Sequence, residues 1–285
     1  MPIEPPLETP LVLDHALDLM AAAPHRPIAG GTDVMVQITG GLGPPPERMI
    51  DLSRLDELRG IALDRGSLVV GALTTYTDIR RSAICREHLP SLVEAAATIG
   101  AAQIQNRGTL GGNVANASPA GDTLPILLAT DATIVAVSRR GERDIPAAQF
   151  WTGYRQTALE PDELVLRVAI PLPTGREVRF RKVGTRRAQA ISKVVASLAW
   201  RDHGLAAGWS DVRLALGSVA PTPIRATATE AVLESAHPTP ETADRAAVTH
   251  AEEIQPIDDV RSTADYRRLV AARVVHRLVR EAGGW

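Results

Sequence analysis

The N-terminal half of this 285-residue chain alternates between helical and strand-like hydrophobic patterns. Residues 13–22 place leucine and alanine at helical spacing, and prolines shortly after them end the predicted helix. Residues 27–38 predict a strand, a glycine turn and a helix, with Thr32 as N-cap and Asp33 in the first turn. Further strands are predicted at 50–52, 67–70 and 132–137, and further helices at 77–87, at 91–99 and from a cap at Asp122 through Leu128.

The C-terminal part shows a different order of patterns. Residues 171–175, PLPTG, are typical of a linker. After this linker, strand patterns at 179–183, 190–200 and 212–219 precede helical patterns at 227–236, 240–253 and 263–281. Strands followed by helices predict a small α+β domain whose sheet is covered by helices on one face.

One long segment fits neither pattern. Residues 100–122, GAAQIQNRGTLGGNVANASPAGD, contain five glycines and three asparagines and have little apolar periodicity. A polar segment of this length inside a compact domain is usually functional.

Composition excludes several classes of protein. With 31 basic and 33 acidic residues, the net charge of −2 gives no basic face for nucleic acid. The single cysteine, Cys85, can form no internal disulfide and cannot hold an iron–sulfur cluster; we expect it to be a small buried hydrophobe. No pair of histidines has zinc-ligand spacing with a third ligand nearby. No signal peptide or membrane-length apolar window is visible, so a cytoplasmic protein without a membrane span is expected.

Two glycine segments carry the candidate chemistry: AGGTD at 29–33 and TLGGN at 109–113. A diphosphate needs converging backbone N–H groups, and glycine lets a backbone approach it closely. Thr32 and Thr109 can donate further hydrogen bonds. Each segment could instead be an ordinary turn, since glycine marks turns everywhere. Neither segment matches the Rossmann pattern or a P-loop.

The glycine segments also carry a family resemblance. AGGTD and the later segment QNRGTLGGNVANASPAGDTLPILLA resemble the FAD subunits of the molybdenum hydroxylases. These include the medium subunit of aerobic carbon monoxide dehydrogenase and the flavin domain of xanthine dehydrogenase. The similarity continues at 146–171, 180–197 and 213–226, so it spans most of the chain.

The resemblance implies an α+β fold in three parts. A two-subdomain FAD-binding fold of the PCMH type would occupy 1–58 and 59–173. A small α+β domain with its sheet covered by helices would occupy 176–285.

The resemblance also implies which residues meet FAD. Asp122 matches a position that hydrogen-bonds on the adenosine side, and Val165 and Lys182 match two further flavin contacts. Ile99 is aliphatic where some relatives place an aromatic residue against the isoalloxazine ring, and Arg186 and Arg187 stand where others have a tyrosine. The residues expected at the cofactor are Pro27, Ile28, Ala29, Gly30, Gly31, Thr32, Asp33, Val34, Ile99, Thr109, Gly111, Gly112, Asn113, Ser118, Asp122, Val165 and Lys182.

Simpler roles stay open for several of these side chains. Lys182 could be a solvated strand residue, and Asp122 could be only a helix cap. Trp151 and Tyr154 are more typical of core or domain contacts than of flavin stacking. We expect Gly111→Val to abolish FAD retention, because a branched side chain would block the approach to the diphosphate.

The resemblance implies an electron relay with no catalytic residue on this chain. Electrons would arrive from an iron–sulfur small subunit, pass through FAD and leave to an external acceptor, while a molybdopterin large subunit oxidises the substrate. The assembly would be a dimer of heterotrimers. Two alternatives are a self-sufficient FAD-dependent oxidoreductase with its own small substrate and a binding module that has lost its flavin. Because the substrate is chosen by the large subunit, this sequence names neither the substrate nor the terminal acceptor.

Overall fold

A small parallel sheet opens the chain in the computed structural model, which describes residues 5–41, 43–186, 189–204 and 208–285. Its strands are β1 (Leu7–Glu8), β2 (Arg26–Ile28) and β3 (Met49–Asp51), in the order β1-β3-β2. Helix α1 (Leu13–Ala22) lies between β1 and β2, as the hydrophobic spacing predicted. Helix α2 (Val34–Thr39) follows β2, and a 3₁₀ turn (Asp56–Leu58) follows β3.

A larger antiparallel sheet forms the middle of the chain. The next strands are β4 (Ile61–Asp64), β5 (Ser67–Gly71), β6 (Thr133–Ser138), β7 (Gly141–Pro146), β8 (Trp151–Gly153), β9 (Gln156–Thr157) and β10 (Leu164–Pro171). Five of these lie in the order β4-β5-β10-β6-β7, and β8 and β9 form a short hairpin. The predicted strands at 67–70 and 132–137 are confirmed as β5 and β6.

Helices fill the connection from β5 to β6 and the turn after β7. They are α3 (Tyr76–Arg81), α4 (Ala83–His88), α5 (Pro90–Thr98), α6 (Ala102–Gln105), α7 (Leu110–Asn116), α8 (Leu124–Ala129) and α9 (Ala147–Phe150). The single helix predicted at 77–87 is wrong, because Ser82 leaves helical geometry and caps α4 through its hydroxyl. The polar segment at 100–122 includes α6 and α7, which are too short to show apolar periodicity.

The middle sheet has a core on each face. Strand β6 turns Val135 and Val137 toward α1, while Ile134 and Ala136 face a second cluster that also buries Cys85. Strand β10 changes face partway, because a bulge between Val165 and Arg167 inserts one extra residue. Leu164 and Leu166 before and at the bulge therefore face α1, whereas Val168 and Ile170 after it face the helices on the other side.

A third sheet and its helices end the chain. Strands β11 (Arg176–Val183), β12 (Val194–Asp202), β13 (Trp209–Gly217) and β14 (Ile224–Arg225) lie side by side in that order. Helices α10 (Thr227–Leu233), α11 (Pro240–Glu253) and α12 (Ala264–Gly283) follow them. The predicted α+β fold, with helices covering this sheet, is confirmed.

The third sheet is buried on both faces, which differs from the prediction of one covered face. Alternate residues of β12, from Val194 to Trp200, pack on the domain's own helices. The residues between them, Val195 and Ala199, belong to the same cluster as α8. This second contact joins the last domain to the middle of the chain and closes one side of a cleft.

Candidate cofactor site

The segment at 29–33 forms the first wall of the cleft. Gly31 has a φ of +74°, which favours glycine. Helix α2 then starts at Val34, and Asp33 occupies the N-cap position without a side-chain cap. The prediction of Thr32 as N-cap is therefore wrong. Within the described residues, the backbone N–H groups from Gly30 to Val34 donate to no protein acceptor. All five residues line the cleft, four of them half-buried and Asp33 exposed, so these donors are available to an anion.

The segment at 109–113 forms the second wall. Thr109 is the N-cap of α7, and its hydroxyl accepts from the N–H of Gly112 at 3.1 Å. Gly111 is buried, and a Cβ there would stand 2.6 Å from the Cβ of Ala72. Gly112 is exposed to the cleft, and the one close contact of an added Cβ would be the Thr109 hydroxyl. The reason given for the effect of Gly111→Val is thus wrong. Gly111 permits close packing against Ala72, whereas Gly112 is the glycine that leaves room for a diphosphate to approach the backbone.

The two walls touch each other. A Cβ on Gly30 would overlap the carbonyl oxygen of Arg107, so the first segment lies directly on the chain leading into the second. A Cβ on the next residue, Gly108, would lie 2.8 Å from the ring of Tyr76. Both glycines permit close approach of one backbone to its neighbour. The structure therefore brings the two glycine segments together at one cleft.

The cleft consists of two chambers that share one region, which we call the waist. The first chamber, of about 140 Å³, lies between the two glycine segments and the start of β10. The second chamber, of about 860 Å³, extends from the waist to the third sheet and the loop before α12. Its volume is in the range of about 300–1,000 Å³ that is usual for ligand pockets. The residues that line both chambers are Thr32, Asp33, Tyr76, Asn113 and Asn116.

Most of the residues expected at the cofactor line these chambers. The exceptions are Ile28, whose side chain lies beside Gly31, and Lys182. Val165 lines the first chamber with the glycine segments. Ile99 and Asp122 both line the second chamber. The structure therefore places Asp122 in the same chamber as Ile99, which was expected near the flavin ring.

A buried ion pair supports the second chamber. Lys182 donates to Asp122 at 2.6 Å and to the carbonyl of Thr98 at 3.1 Å, and the Ser192 hydroxyl donates to the other carboxylate oxygen of Asp122. Burial raises the pKa of Asp122, while the Lys182 ammonium and the Ser192 hydroxyl act in the opposite direction. The helix-cap role for Asp122 is wrong, since Thr123 is the residue before α8. The solvated role for Lys182 is wrong as well, because its side chain is 9% exposed.

Sequence reasoning missed Tyr76 and misjudged several neighbours. Tyr76 is buried at the waist, but its sequence context signals only the capped start of α3. Tyr154, expected in a core or domain contact, is 63% exposed at the rim of the second chamber. Trp151 is buried and donates to the carbonyl of Val114, as a core aromatic should. Arg186 donates to the carbonyl of Gln189, whereas Arg187 lies outside the described residues.

The described part of the chain has neither a membrane-spanning helix nor a cluster of metal ligands. No helix there is both long and apolar enough to cross a membrane. No group of three or more histidine, cysteine, aspartate or glutamate side chains there is arranged around a metal ion.

Comparison with known proteins identifies the family. Residues 5–173 match the family model described as the FAD binding domain in molybdopterin dehydrogenase, and residues 179–282 match the CO dehydrogenase flavoprotein C-terminal domain. This chain belongs to that family. It is an FAD-binding subunit of the molybdenum hydroxylase family, and it is therefore part of an oxidoreductase.

Relatives agree over nearly the whole length. The chain is 32% identical over 281 residues to the xanthine dehydrogenase FAD-binding subunit of Escherichia coli O157:H7, covering 95% of both chains. It is 32% identical over 238 residues to the carbon monoxide dehydrogenase medium chain of Hydrogenophaga pseudoflava, covering 83% of this chain and 82% of that one. A solved carbon monoxide dehydrogenase from Hydrogenophaga pseudoflava superposes with a TM-score of 0.91 at 31% identity, covering 97% and 96%.

The residues in the cleft fit FAD. A dinucleotide has an anionic centre between two ring systems, and the cleft has free amide donors near a waist between two chambers. The exposed face of Gly112 leaves room for an anion to approach the backbone. These observations come from the chain itself and are independent of the comparisons.

Proposed function

We propose that this chain holds FAD across both chambers and passes electrons from the iron–sulfur clusters of a partner subunit to an external acceptor. The adenosine would occupy the first chamber, the diphosphate the waist and the flavin ring the second chamber. The bound flavin supplies the electron-carrying chemistry, and the chain positions it and adjusts its surroundings by hydrogen bonds and charge.

The free amides from Gly30 to Val34 carry this proposal. Consecutive N–H groups without acceptors are unusual for half-buried backbone, because an unpaired buried N–H costs free energy. An anion bound there would satisfy several of them at once. Thr32 and Thr109 lie beside these amides along the cleft.

The two chambers differ in the polarity of the side chains that line them, and this difference suits the two ends of FAD. The first chamber is lined in part by apolar side chains, among them Leu52, Leu73 and Val165, which do not line the second. Such a surface suits a flat base. The second chamber offers carboxylate and hydroxyl groups, including Asp122 and Ser192, beside the apolar side chain of Ile99. A flavin ring has one apolar edge and one edge of hydrogen-bonding atoms, so it suits this mixture.

This placement revises one expectation. Asp122 was assigned to the adenosine side, but its chamber is the one that would hold the flavin ring. Lys182 would act through Asp122, since it lines neither chamber. The remaining cofactor residues keep their proposed roles as neighbours of FAD.

The partner subunits are proposed from the family. The rim of the second chamber carries exposed apolar side chains, Tyr154, Ile257 and Val260. A partner that delivers electrons has to approach this rim. We propose an iron–sulfur small subunit and a molybdopterin large subunit, assembled as a dimer of heterotrimers. A cytoplasmic location is proposed from the single cysteine.

The subdomain boundaries are proposed at 58/59 and within 173–176. At the first, the chain leaves the 3₁₀ turn and enters β4 of the middle sheet. At the second, it passes from β10 of the middle sheet to β11 of the third.

Purification of the full chain with its native partners tests the proposed function. We expect one FAD per chain, released on denaturation, together with a cluster-bearing small subunit and a molybdopterin-bearing large subunit. Reduction of the clusters should be followed by bleaching of the flavin absorbance. A colourless assembly, or a flavin that the reduced clusters never bleach, would rule out the relay. Turnover of an organic substrate by the chain alone would instead favour a self-sufficient enzyme.

A further inference from the structure

One buried residue at the waist has a hydroxyl that makes no hydrogen bond to protein in the described part of the chain. Tyr76 begins α3, is 3% exposed and lines both chambers. In the described part of the chain its hydroxyl makes no hydrogen bond, and its oxygen is not fully enclosed by protein, so it opens onto the cleft. A hydroxyl that faces a cleft without a protein partner is available to solvent or to a ligand.

We propose that the hydroxyl of Tyr76 donates a hydrogen bond to the diphosphate of FAD. This residue would be a binding residue additional to the two glycine segments. The inference rests on the proposed function, because it takes the diphosphate to lie at the waist.

The position of Tyr76 follows from how the two glycine segments meet. Its backbone N–H donates to the carbonyl of Gly108 at 3.1 Å, and its ring packs against the same glycine. The residue before Gly108, Arg107, places its carbonyl against Gly30. Tyr76 therefore stands where both segments come together, beside the free amides of the first.

The waist offers few other side-chain donors. The residues lining both chambers include no lysine or arginine. The side-chain amide of Asn116 is already committed to Asp33 at 3.0 Å. Because an amide NH₂ carries a second N–H, the side-chain donors at the waist are the hydroxyls of Thr32 and Tyr76 and the amides of Asn113 and Asn116. The side-chain donors at the waist are therefore neutral, and the Tyr76 hydroxyl would add to the free backbone amides from Gly30 to Val34.

The surroundings keep the Tyr76 hydroxyl protonated. Burial raises its pKa well above the ordinary value, and the carboxylates of Asp122 and Asp33 raise it further. A phenol that keeps its proton can donate to an anionic oxygen. Asp122 accepts from Lys182 and Ser192, and Asp33 accepts from Asn116, so the hydrogen bonds of these carboxylates leave the Tyr76 hydroxyl available to a ligand.

Substitution Tyr76→Phe tests the proposal, since it removes the hydroxyl and keeps the ring. FAD would be removed from the full chain, in complex with its partners where it purifies with them. The dissociation constant for added FAD would then be measured by flavin fluorescence. We expect at least about a ten-fold weaker affinity, as for a lost hydrogen bond to a charged group. The melting temperature of the flavin-free protein should not change.

Tyr266→Phe is the matched control. Tyr266 is 40% exposed, lies under the ammonium of Lys193 and lines neither chamber. Its substitution should leave the FAD affinity unchanged. If the unmodified protein binds no FAD, the proposed function fails. If it binds FAD and Tyr76→Phe binds it equally well, the role of Tyr76 is refuted while the function stands.

A crystal structure of the unmodified protein with FAD gives an answer that does not depend on any variant folding. The expected result is a distance of about 3.0 Å or less between Tyr76 Oη and a diphosphate oxygen. A hydroxyl that contacts the flavin ring, the ribityl chain or only water would overturn the proposal.

Discussion

Gly111 and Gly112, at the start of α7, have different structural roles, although the sequence shows them only as one Gly-Gly pair. A Cβ on Gly111 would meet Ala72, including its backbone oxygen at 2.8 Å, which cannot move away easily. We expect Gly111→Ala to lower the free energy of unfolding by about 1–3 kcal/mol through overpacking. Thermal unfolding of the flavin-free protein measures this loss. A variant as stable as the parent would contradict the assignment.

Gly112→Ala serves as the comparison for Gly111→Ala, because its added methyl would face the cleft and meet only the Thr109 hydroxyl. Its stability should fall by no more than about 1 kcal/mol, through a disturbed cap. Its affinity for FAD should fall by about ten-fold or more, which corresponds to about 1.4 kcal/mol. FAD titration against the parent measures this effect. Unchanged affinity would show that the diphosphate does not approach this face.

The buried pair of Lys182 and Asp122 predicts a pH-dependent effect. Lys182→Met would leave a buried carboxylate unpaired and should lower the free energy of unfolding near pH 7 by about 3–5 kcal/mol. Burial already raises the pKa of Asp122, and loss of the ammonium raises it further. A carboxyl whose pKa is higher in the folded chain favours folding at low pH, and this contribution is lost as the pH rises through the folded pKa.

Lys182→Met should therefore cost more stability at about pH 8 than at about pH 4, as urea unfolding would show. Lys193→Met is the control, because Lys193 forms a cation–π contact with Tyr266 that is worth about 1 kcal/mol or less. Adding Asp122→Asn to Lys182→Met removes the unpaired charge and should recover part of the loss. Equal losses at both pH values would mean that the pair does not control this stability.

At the scale of elements, helix α2 is held in place by contacts with neighbouring segments and not by burial in a hydrophobic core. None of its residues is buried. Asn116 at the end of α7 holds it, by donating to Asp33 at 3.0 Å and accepting from Gln37 at 3.5 Å. Arg155 of the β8–β9 hairpin donates to the same Asn116 oxygen at 3.0 Å. The helix next to the first glycine segment is thus fastened mainly by polar contacts across the cleft.

Asn116→Ala should therefore loosen α2. We expect amide hydrogen exchange across Val34–Thr39 to speed up several-fold, since local opening becomes easier when such contacts are lost. Bound FAD should slow the same amides. Asn106→Ala is a suitable control, because the side chain of Asn106 accepts from Thr77 of α3, and this hydrogen bond does not involve α2. Exchange in α2 that is insensitive to Asn116→Ala would argue against this fastening.

The elements show which features a sequence reveals. Long elements with regular periodicity, such as α1, β6 and α12, were predicted because each buries a continuous face. The glycine segments were predicted because few residue types can supply their geometry. The helix boundaries at Ser82, Thr32 and Asp122 were predicted wrongly. A polar side chain caps a helix only where no other nearby group binds it instead, and the sequence does not show which group does so. Tyr76 was missed because its place in the cleft depends on Gly108 and Gly30, which are distant from it in the chain.

At the scale of the molecule, the last domain and the middle sheet share one core. Phe180 of β11, Val195 and Ala199 of β12 pack in the same cluster as the fully buried helix α8. Asp131, after α8, lies within 3.3 Å of both Arg213 and Arg225 in the third sheet. The second chamber lies between these parts, so its shape depends on their remaining joined.

Phe180→Ala tests whether this shared core makes the two parts unfold together. Removing the buried ring should cost about 3–5 kcal/mol. Because Phe180 belongs to the common cluster, global hydrogen-exchange protection should fall equally in β6 and in β12. Val248→Ala, at a 61% exposed position on α11, should change the stability by no more than about 0.5 kcal/mol. A loss of protection confined to β12 would mean that the last domain opens alone, and the second chamber would then open without unfolding of the middle sheet.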